Sequence, residues 1–137
     1  MKINFLLVGA LAGLTGVLLG AFGAHGLRES LSPAMLTVYK TAVDYQMWHA
    51  LALTGIAFLL RTHPDEKSLV RGGWFFFLGI IFFSGSLYLL AYLNVKWLGM
   101  VTPVGGVLFL GGWIMLALFA LKENAIVTSH NEINGSD

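Results

Sequence analysis

The chain has 137 residues, of which 57% are hydrophobic and 11% charged, and its mean hydropathy is +0.78. This composition leaves too little polar surface to wrap a soluble globule of this size, so it predicts an integral membrane protein. A net charge of +1 without a basic run argues against a nucleic-acid partner, and the lack of cysteine excludes disulfides, thiol catalysis and cysteine metal sites.

Four apolar segments predict an all-α membrane protein with four transmembrane helices in one compact bundle. A hydrocarbon core of about 30 Å needs about 20 apolar residues per helix. Residues 3–25, 33–60, 73–93 and 100–121 each supply that length, and residues 122–137 form a polar tail that we expect to be disordered and cytoplasmic.

The distribution of lysine and arginine predicts the orientation of this bundle. Four spans place five cations on the side of the termini: Lys2, Arg61, Lys67, Arg71 and Lys122. The opposite side holds three: Arg28, Lys40 and Lys96. By the positive-inside rule we expect both termini in the cytoplasm.

The first segment carries glycines at spacings of three and four along one helical face: Gly9, Gly13, Gly16, Gly20 and Gly23. This spacing lets helix backbones approach closely in lipid, so the stripe predicts a packing groove for a neighbouring helix. Its last residue, His25, is interpreted as a solvated histidine at the interface. Gly26 then offers a position of positive φ at which the helix can stop.

The second segment starts at Ser32-Pro33, with serine as N-cap and proline at the first helical position. A helix over residues 33–60 is about 42 Å long, more than the hydrocarbon needs. Because its first half carries Lys40 and Asp44, we expect an amphipathic N-terminal extension. Further along the chain, Thr102-Pro103 is either the cap of the fourth helix or a kink inside it.

Polar side chains within the spans are the informative ones, because lipid cannot satisfy their hydrogen bonds. Counting 1.5 Å per residue places the polar motifs in the outward-facing half of the bilayer, beside Gly105 and Gly106. We group them as a hypothetical polar cluster: His25, Tyr45, Gln46, His49, Ser84, Ser86, Tyr88 and Thr102. Tyr45, Gln46 and His49 can share one face of the second helix, and His25 is expected at the rim.

The first interpretation of these groups is that they are hydrogen-bonding pins between helices, each contributing about 0.6 to 2 kcal/mol. His49 could instead accept a proton or bind an ion, and two histidines would also suit haem. However, there is no His-x-x-x-His pair, and the depths of His25 and His49 differ by about 15 Å. No phosphate loop, nucleophile elbow or zinc-protease signature occurs, so we predict no metal, no cofactor and no enzymatic activity.

Four motifs occur in order along the chain: Gly20-Ala-Phe-Gly-Ala-His25, Tyr45-Gln46 followed by His49, Phe83-Ser-Gly-Ser-Leu-Tyr88, and Val101-Thr-Pro-Val-Gly-Gly106 with Gly112-Trp113. Together they resemble the YgdD/YwdK-type family of small bacterial inner-membrane proteins, over a region from Gly9 to about Leu121. The resemblance implies a four-helix inner-membrane protein of uncharacterised molecular function and assigns no catalytic residue.

Two functions remain as hypotheses. The first is a non-enzymatic structural or accessory protein of the bilayer, either as a homo-oligomer or with a membrane-protein partner. The alternative is a transporter or channel for a small solute or ion, in which the polar cluster lines an outward-facing cavity. Four helices leave little room for a pore without oligomerisation.

Overall fold

The computed structural model describes the backbone of residues 3–134 and the side chains of residues 3–125. Within that part of the chain all regular elements are helical and no strand occurs. The α-helices are α1 (Phe5–His25), α2 (Pro33–Thr62), α3 (Lys67–Gly79), α4 (Gly85–Leu93) and α5 (Thr102–Asn134). A π-helical turn, Ile80–Ser84, joins α3 to α4 in one rod, and a 3₁₀ turn, Lys96–Met100, precedes α5.

Three of the described helical stretches are long and apolar enough to cross a membrane: Phe5–His25, Lys67–Leu93 and Lys96–Ala125. α2 is not among them, although its 30 residues make it longer than α1. The all-α prediction is therefore confirmed. The chain is thus a membrane protein with several helices of spanning length, and α2 does not meet the same criteria of length and composition.

Local hydrogen bonds explain where several helices begin. The Ser32 hydroxyl accepts the N–H of Met35 at 3.3 Å with Pro33 in the first turn, as the sequence predicts. α3 begins at Lys67 rather than at residue 73, because the Glu66 carboxylate caps it by accepting the N–H of Ser68.

Two predicted helix ends differ from the structure. Gly26 has φ −86°, so the predicted positive φ is wrong; its N–H instead bonds to the carbonyl of Phe22 at 2.7 Å. α5 continues to Asn134 instead of ending at residue 121, since no glycine or proline follows Lys122 until residue 135. The remainder of the predicted tail, residues 135–137, lies outside the described residues.

α1 packs on α2 along three buried glycines spaced seven residues apart: Gly9, Gly16 and Gly23. A methyl group at Gly9 would lie 2.8 Å from Thr54 Oγ1, one at Gly16 would lie 2.6 Å from Met47 Sδ, and one at Gly23 would overlap the Tyr39 ring. Nothing lies within 4 Å of the same position on Gly13, and at Gly20 only Val43 approaches, at 3.3 Å. Close approach therefore uses three of the five glycines in the predicted stripe.

α5 packs on the α3–α4 rod through a second set of glycines. A methyl group at Gly112 would lie 2.5 Å from the Phe76 ring, and one at Gly79 would overlap the Phe109 ring. At Gly105 it would overlap the backbone nitrogen of Phe83, so the two backbones touch at the π-helical turn. Gly106 is more open, because its nearest neighbours are Phe83 ring atoms at 4.0 Å.

α2 joins these two helix pairs into one bundle, and its inward residues supply the centre of the core. Leu53 and Ile56 are at most 1% exposed, as are Leu69 and Phe76 of α3. Phe5, Phe109 and Phe119 close the same cluster. The outer face of α1, by contrast, exposes Leu7, Leu11, Leu14, Val17 and Leu18, as lipid contact requires.

An ion pair and a second polar contact join the α2–α3 loop to α5. Lys122 Nζ donates to Glu66 Oε2 at 2.6 Å, and His63 Nε2 lies 3.3 Å from Glu123 Oε1. The hydrogen bond from Lys122, followed by those from Ser68, lowers the pKa of Glu66 from 4.5 to about 2. The Lys122 side chain is 60% exposed, so solvent and salt weaken the pair.

We expect Gly105→Ala to destabilise the fold by about 1 to 3 kcal/mol, because the added methyl group meets backbone that cannot move aside. Gly106→Ala is the matched control: it makes the same change in helix propensity with open space, so its stability should stay equal or rise slightly. SDS titration of the purified protein in mixed micelles, followed by far-ultraviolet circular dichroism, measures both. Equal losses in the two variants would contradict the close contact.

We expect Lys122→Met to reduce the amount by which the free energy of unfolding falls between about pH 4.5 and pH 2. Because the folded-state pKa of Glu66 is depressed, its contribution is complete above about pH 4.5 and is lost as pH falls through about 2. Without Lys122 the pKa of Glu66 rises, so less stability remains to be lost in that window. Unfolding at low salt between pH 2 and 6 measures this, with Lys96→Met as the control; parallel acid limbs in wild type and Lys122→Met would refute it.

Candidate functional site

Gln46 of α2 is the centre of a hydrogen-bond network that joins three helices, which we call the Gln46 network. The side chain is 5% exposed. Its Nε2 donates to the carbonyl of Ala12 at 2.8 Å and to Thr15 Oγ1 at 2.9 Å, both on α1. Its Oε1 accepts from the hydroxyl of Tyr88 on α4 at 2.9 Å. Both amide protons and the carbonyl oxygen of Gln46 are thus engaged inside the bundle.

Tyr39 extends this network by one turn toward the end of α1. Its hydroxyl donates to the carbonyl of Leu19 at 2.8 Å, and its ring packs edge-on against Tyr88 with centroids 5.1 Å apart. In the sequence, Tyr39 lies in the first half of the second segment, where an amphipathic extension is predicted. A buried tyrosine needs a hydrogen-bond partner for its hydroxyl, and that requirement was the available signal for a role between helices.

His49 is held between α2 and α5 in a single neutral form. Its Nδ1 lies 2.7 Å from the carbonyl of Tyr45, which can only accept, so Nδ1 carries the proton. Its Nε2 accepts the indole N–H of Trp113 at 3.2 Å, so that nitrogen has none. Both ring nitrogens are therefore engaged, and a second proton or a metal at Nε2 would have to displace Trp113.

Aromatic rings enclose this imidazole, and we call the group the His49 stack. The Phe109 ring lies parallel to it, with centroids 3.5 Å apart and an interplanar angle of 8°. The centroid of the Tyr45 ring lies 5.9 Å from that of His49, 6.0 Å from that of Phe109 and 4.4 Å from that of Phe83. Phe109 and Trp113 were not among the predicted site residues. The lone indole N–H of Trp113 in an apolar helix was a signal that it needs an acceptor.

Ser86 and Thr102 form a third contact, between α4 and the start of α5, which we call the Ser86 pair. The Ser86 hydroxyl donates to the carbonyl of Phe83 at 2.9 Å and lies 2.8 Å from Thr102 Oγ1. Because the single Ser86 proton is used on the carbonyl, Thr102 is the donor between the two hydroxyls. Thr102 begins α5 and Pro103 lies in its first turn, so the Thr102-Pro103 motif starts a helix and does not kink one.

Ser84 differs from these groups. It is 0% exposed, and its Oγ has no hydrogen-bond partner among residues 3–125. It ends the π-helical turn, where the N–H of Gly85 bonds to the carbonyl of Ile80, five residues back. Ser84 is thus a buried hydroxyl left unsatisfied at an irregular turn of the helix.

The structure divides the predicted polar cluster into three separate contacts. Gln46 with Tyr88 joins α2 to α4, and Ser86 with Thr102 joins α4 to α5, whereas the bond from His49 to the Tyr45 carbonyl lies within α2. His49 reaches α5 through Trp113, and Ser84 takes part in none of these contacts. His25 is exposed at the end of α1 and takes no part in them. Gln46 and His49 point to different neighbours, although their spacing places them on one side of α2.

Cavities of about 560, 380 and 130 Å³ are present in the described part of the protein, and none of these three is lined by a residue of the predicted cluster. The smallest lies between α1 and α2 beside Gly20, Gly23 and Tyr39. Among the residues that the structure describes, no group of three histidine, aspartate or glutamate side chains is arranged to hold a metal ion. None of these three cavities is therefore lined by the buried side chains of Gln46, His49, Ser84 or Ser86, although the Tyr39 side chain lines the smallest.

Comparison with known proteins agrees with this architecture. The family model described as "Protein of unknown function (DUF423)" matches residues 19–106. The UPF0382 membrane protein SSP2132 of Staphylococcus saprophyticus is 46% identical over 122 residues, which cover 89% of this chain and 99% of that protein. The UPF0382 membrane protein YwdK of Bacillus subtilis is 45% identical over 122 residues, covering 89% and 98%.

A third relative, the UPF0382 membrane protein SAB0533 of Staphylococcus aureus, is 48% identical over 118 residues, covering 86% of this chain and 95% of that protein. No solved structure matches the chain. The resemblance identified from the four sequence motifs is confirmed, since YwdK is among these relatives. The chain therefore belongs to the DUF423 family of UPF0382 membrane proteins, whose function is unknown.

Proposed function

We propose that this protein is a four-span protein of the bacterial inner membrane that performs no catalysis and acts as a structural or accessory component. The observation that carries this proposal is that Gln46 and His49, both buried, have their hydrogen-bonding groups engaged by backbone and side-chain groups of the bundle. Gln46 donates both amide protons to α1 and accepts a hydrogen bond from α4 with its oxygen. Both ring nitrogens of His49 are hydrogen-bonded, one to the Tyr45 carbonyl and one to the Trp113 indole. Groups already bonded in this way stabilise the bundle and leave little capacity for a substrate.

The position of α2 beside α1 supports the fourth span. Tyr39 contacts Gly23 near one end of α1, and Gln46 bonds to Ala12 in the middle. Leu60 shares a cavity wall with Phe5 at the other end. Because α2 lies antiparallel along the whole of α1, it crosses the membrane wherever α1 does. Its lower hydropathy reflects Gln46 and His49, which face the bundle, and the charged residues Lys40, Asp44 and Arg61, which are exposed toward its two ends.

The charge distribution supports cytoplasmic termini. Arg61, Lys67, Arg71 and Lys122 lie at the end of the bundle where α1 begins, and Lys2 precedes α1 in the sequence. The other end holds Arg28, Lys40 and Lys96. Five cations against three orient that first end toward the cytoplasm.

A transporter or channel is the second candidate, and Ser84 favours it. A fully buried hydroxyl without a partner costs about 1 to 3 kcal/mol, and π-helical turns occur frequently at functional sites. In this alternative, Ser84 would meet a solute after the α3–α4 rod and α5 separate near Gly105. Reconstitution of wild type and Ser84→Ala in vesicles, with stopped-flow assays of proton and small-solute flux, separates the candidates. Flux above protein-free vesicles that Ser84→Ala changes would support transport.

For the Gln46 network, we expect Tyr88→Phe to destabilise the protein by about 1 to 2 kcal/mol, because it leaves Gln46 Oε1 buried without a donor. Tyr92→Phe is the matched control, since Tyr92 lies one turn further along α4 and is 67% exposed; its effect should stay below about 0.5 kcal/mol. A double-mutant cycle with Gln46→Leu measures the coupling. Additive effects would show that the bond contributes nothing.

For the non-enzymatic role, we expect rescue of a strain that lacks the gene to follow the amount of folded protein in its membranes. His49→Gln should rescue in proportion to its folded amount, because the residue acts through packing and hydrogen bonds. Gly16→Leu should lose both folding and rescue, since its side chain would meet Met47. Fluorescence size-exclusion chromatography of a fusion protein gives the folded amount. A His49→Gln variant that folds fully yet fails to rescue would overturn the proposal.

A further inference from the structure

A cavity of about 560 Å³ opens at the end of the bundle where α1 and α3 begin. One wall is apolar and is formed by Phe5, Leu60 and Val70. The lining also includes the charged side chains of Lys67 and Arg71. A cavity that combines an apolar wall with two cations is suited to a ligand that is itself amphipathic.

The two cations are available for an anion. Both side chains are exposed, and neither forms an ion pair with any residue from 3 to 125. The Glu66 carboxylate, next to Lys67 in sequence, is bonded to Lys122 and Ser68. Asp65 also lines the cavity, so its lining holds two cations and one carboxylate. The lining thus keeps a net positive charge for a ligand.

The order of residues along α3 matches the depth profile of a bilayer. Lys67 is the first residue of the apolar stretch Lys67–Leu93, which is long enough to span. Arg71 follows one turn later on the same face, and Trp74 lies about 10 Å from Lys67 along the helix axis. Tryptophan at this level is typical of the membrane interface. Charge therefore lies at the headgroup level and apolar surface below it.

A second cavity of about 380 Å³ shares Ile3, Phe5 and Leu60 with the first and is lined by Arg61. The Arg61 guanidinium lies over the Phe58 ring at 5.1 Å from its centroid, which fixes a third cation near the same wall. The positive end of α3 also points toward this end of the bundle. All of these features favour negative charge at the membrane surface here.

We propose that this cavity binds one anionic phospholipid. Its phosphate lies between Lys67 Nζ and the Arg71 guanidinium, and an acyl chain follows Val70 and Trp74 into the bilayer. Arginine and lysine together suit a phosphate, because the guanidinium donates in a fixed fork and the ammonium adds a point charge. The acyl chains of a phospholipid also cover the apolar wall of the cavity, whereas a free phosphate ion leaves that wall exposed. The site is independent of the accessory role proposed above.

Quenching of Trp74 by brominated lipid tests the proposal on the full chain in phosphatidylcholine vesicles. Dibrominated phosphatidylglycerol and dibrominated phosphatidylcholine are titrated over the same range of mole fractions, and the Trp74 signal is the difference between wild type and Trp74→Phe. We expect half-maximal quenching at a mole fraction about fivefold lower or more for the anionic lipid, since each nearby cation contributes about a factor of five. Equal quenching by both lipids overturns the proposal without any further variant.

Charge variants and soluble phosphate distinguish the site from general attraction. Lys67→Gln combined with Arg71→Gln should remove the preference, whereas Arg28→Gln combined with Lys96→Gln, the same charge change at the other end, should keep it. A preference lost equally in both pairs reflects net charge and overturns the site. Inorganic phosphate at 50 mM should not abolish the preference beyond what chloride does at equal ionic strength. Specific competition by phosphate would identify a soluble anion as the ligand instead.

Discussion

The amide of Gln46 is the constraint on which the arrangement of the bundle depends. In an apolar interior an unsatisfied amide is costly, so each of its groups requires a partner from another helix. Those partners lie on two different helices, α1 and α4. Rotation of α2 by one residue, about 100°, would break all three bonds together. The amide therefore fixes which face of α2 meets each neighbour, and this orientation in turn directs His49 toward Phe109 and Trp113.

The Gln46 bonds and the glycine contacts depend on each other. A short amide side chain reaches the carbonyl of Ala12 only when α1 lies close to α2, and Gly16 permits that approach. A methyl group at Gly16 would lie 3.4 Å from Gln46 Nε2 and 2.6 Å from Met47 Sδ. The repeat of Gly9, Gly16 and Gly23 every seven residues keeps the two helices in contact along their length. The Gln46 amide thus selects the orientation of α2, and the glycines bring α1 close enough for the hydrogen bonds of that amide to form.

Periodicity in the sequence was sufficient to predict the helices and a glycine face, because both depend on residues near one another in the chain. It was insufficient to predict which neighbour each face meets. Gln46 and His49 lie about 60° apart around α2, and this small angle separates contacts to α1 and α4 from contacts to α5. The partners of Gln46 include the backbone carbonyl of Ala12, which no side-chain pattern marks. Likewise, Gly13 and Gly16 look alike in sequence, yet only Gly16 is buried against α2.

The π-helical turn sets the register between the two halves of the α3–α4 rod. Its extra residue rotates α4 by about 100° relative to an uninterrupted α-helix that continues from α3. With that rotation, Tyr88 reaches Gln46 on one side and Ser86 reaches Thr102 on the other, while the backbone at Phe83 meets Gly105. Without that rotation, the hydrogen bonds of Tyr88 to Gln46 and of Ser86 to Thr102 would both be lost. The unsatisfied Ser84 hydroxyl is a local cost of about 1 to 3 kcal/mol, and the two hydrogen bonds and the close contact of α5 offset it.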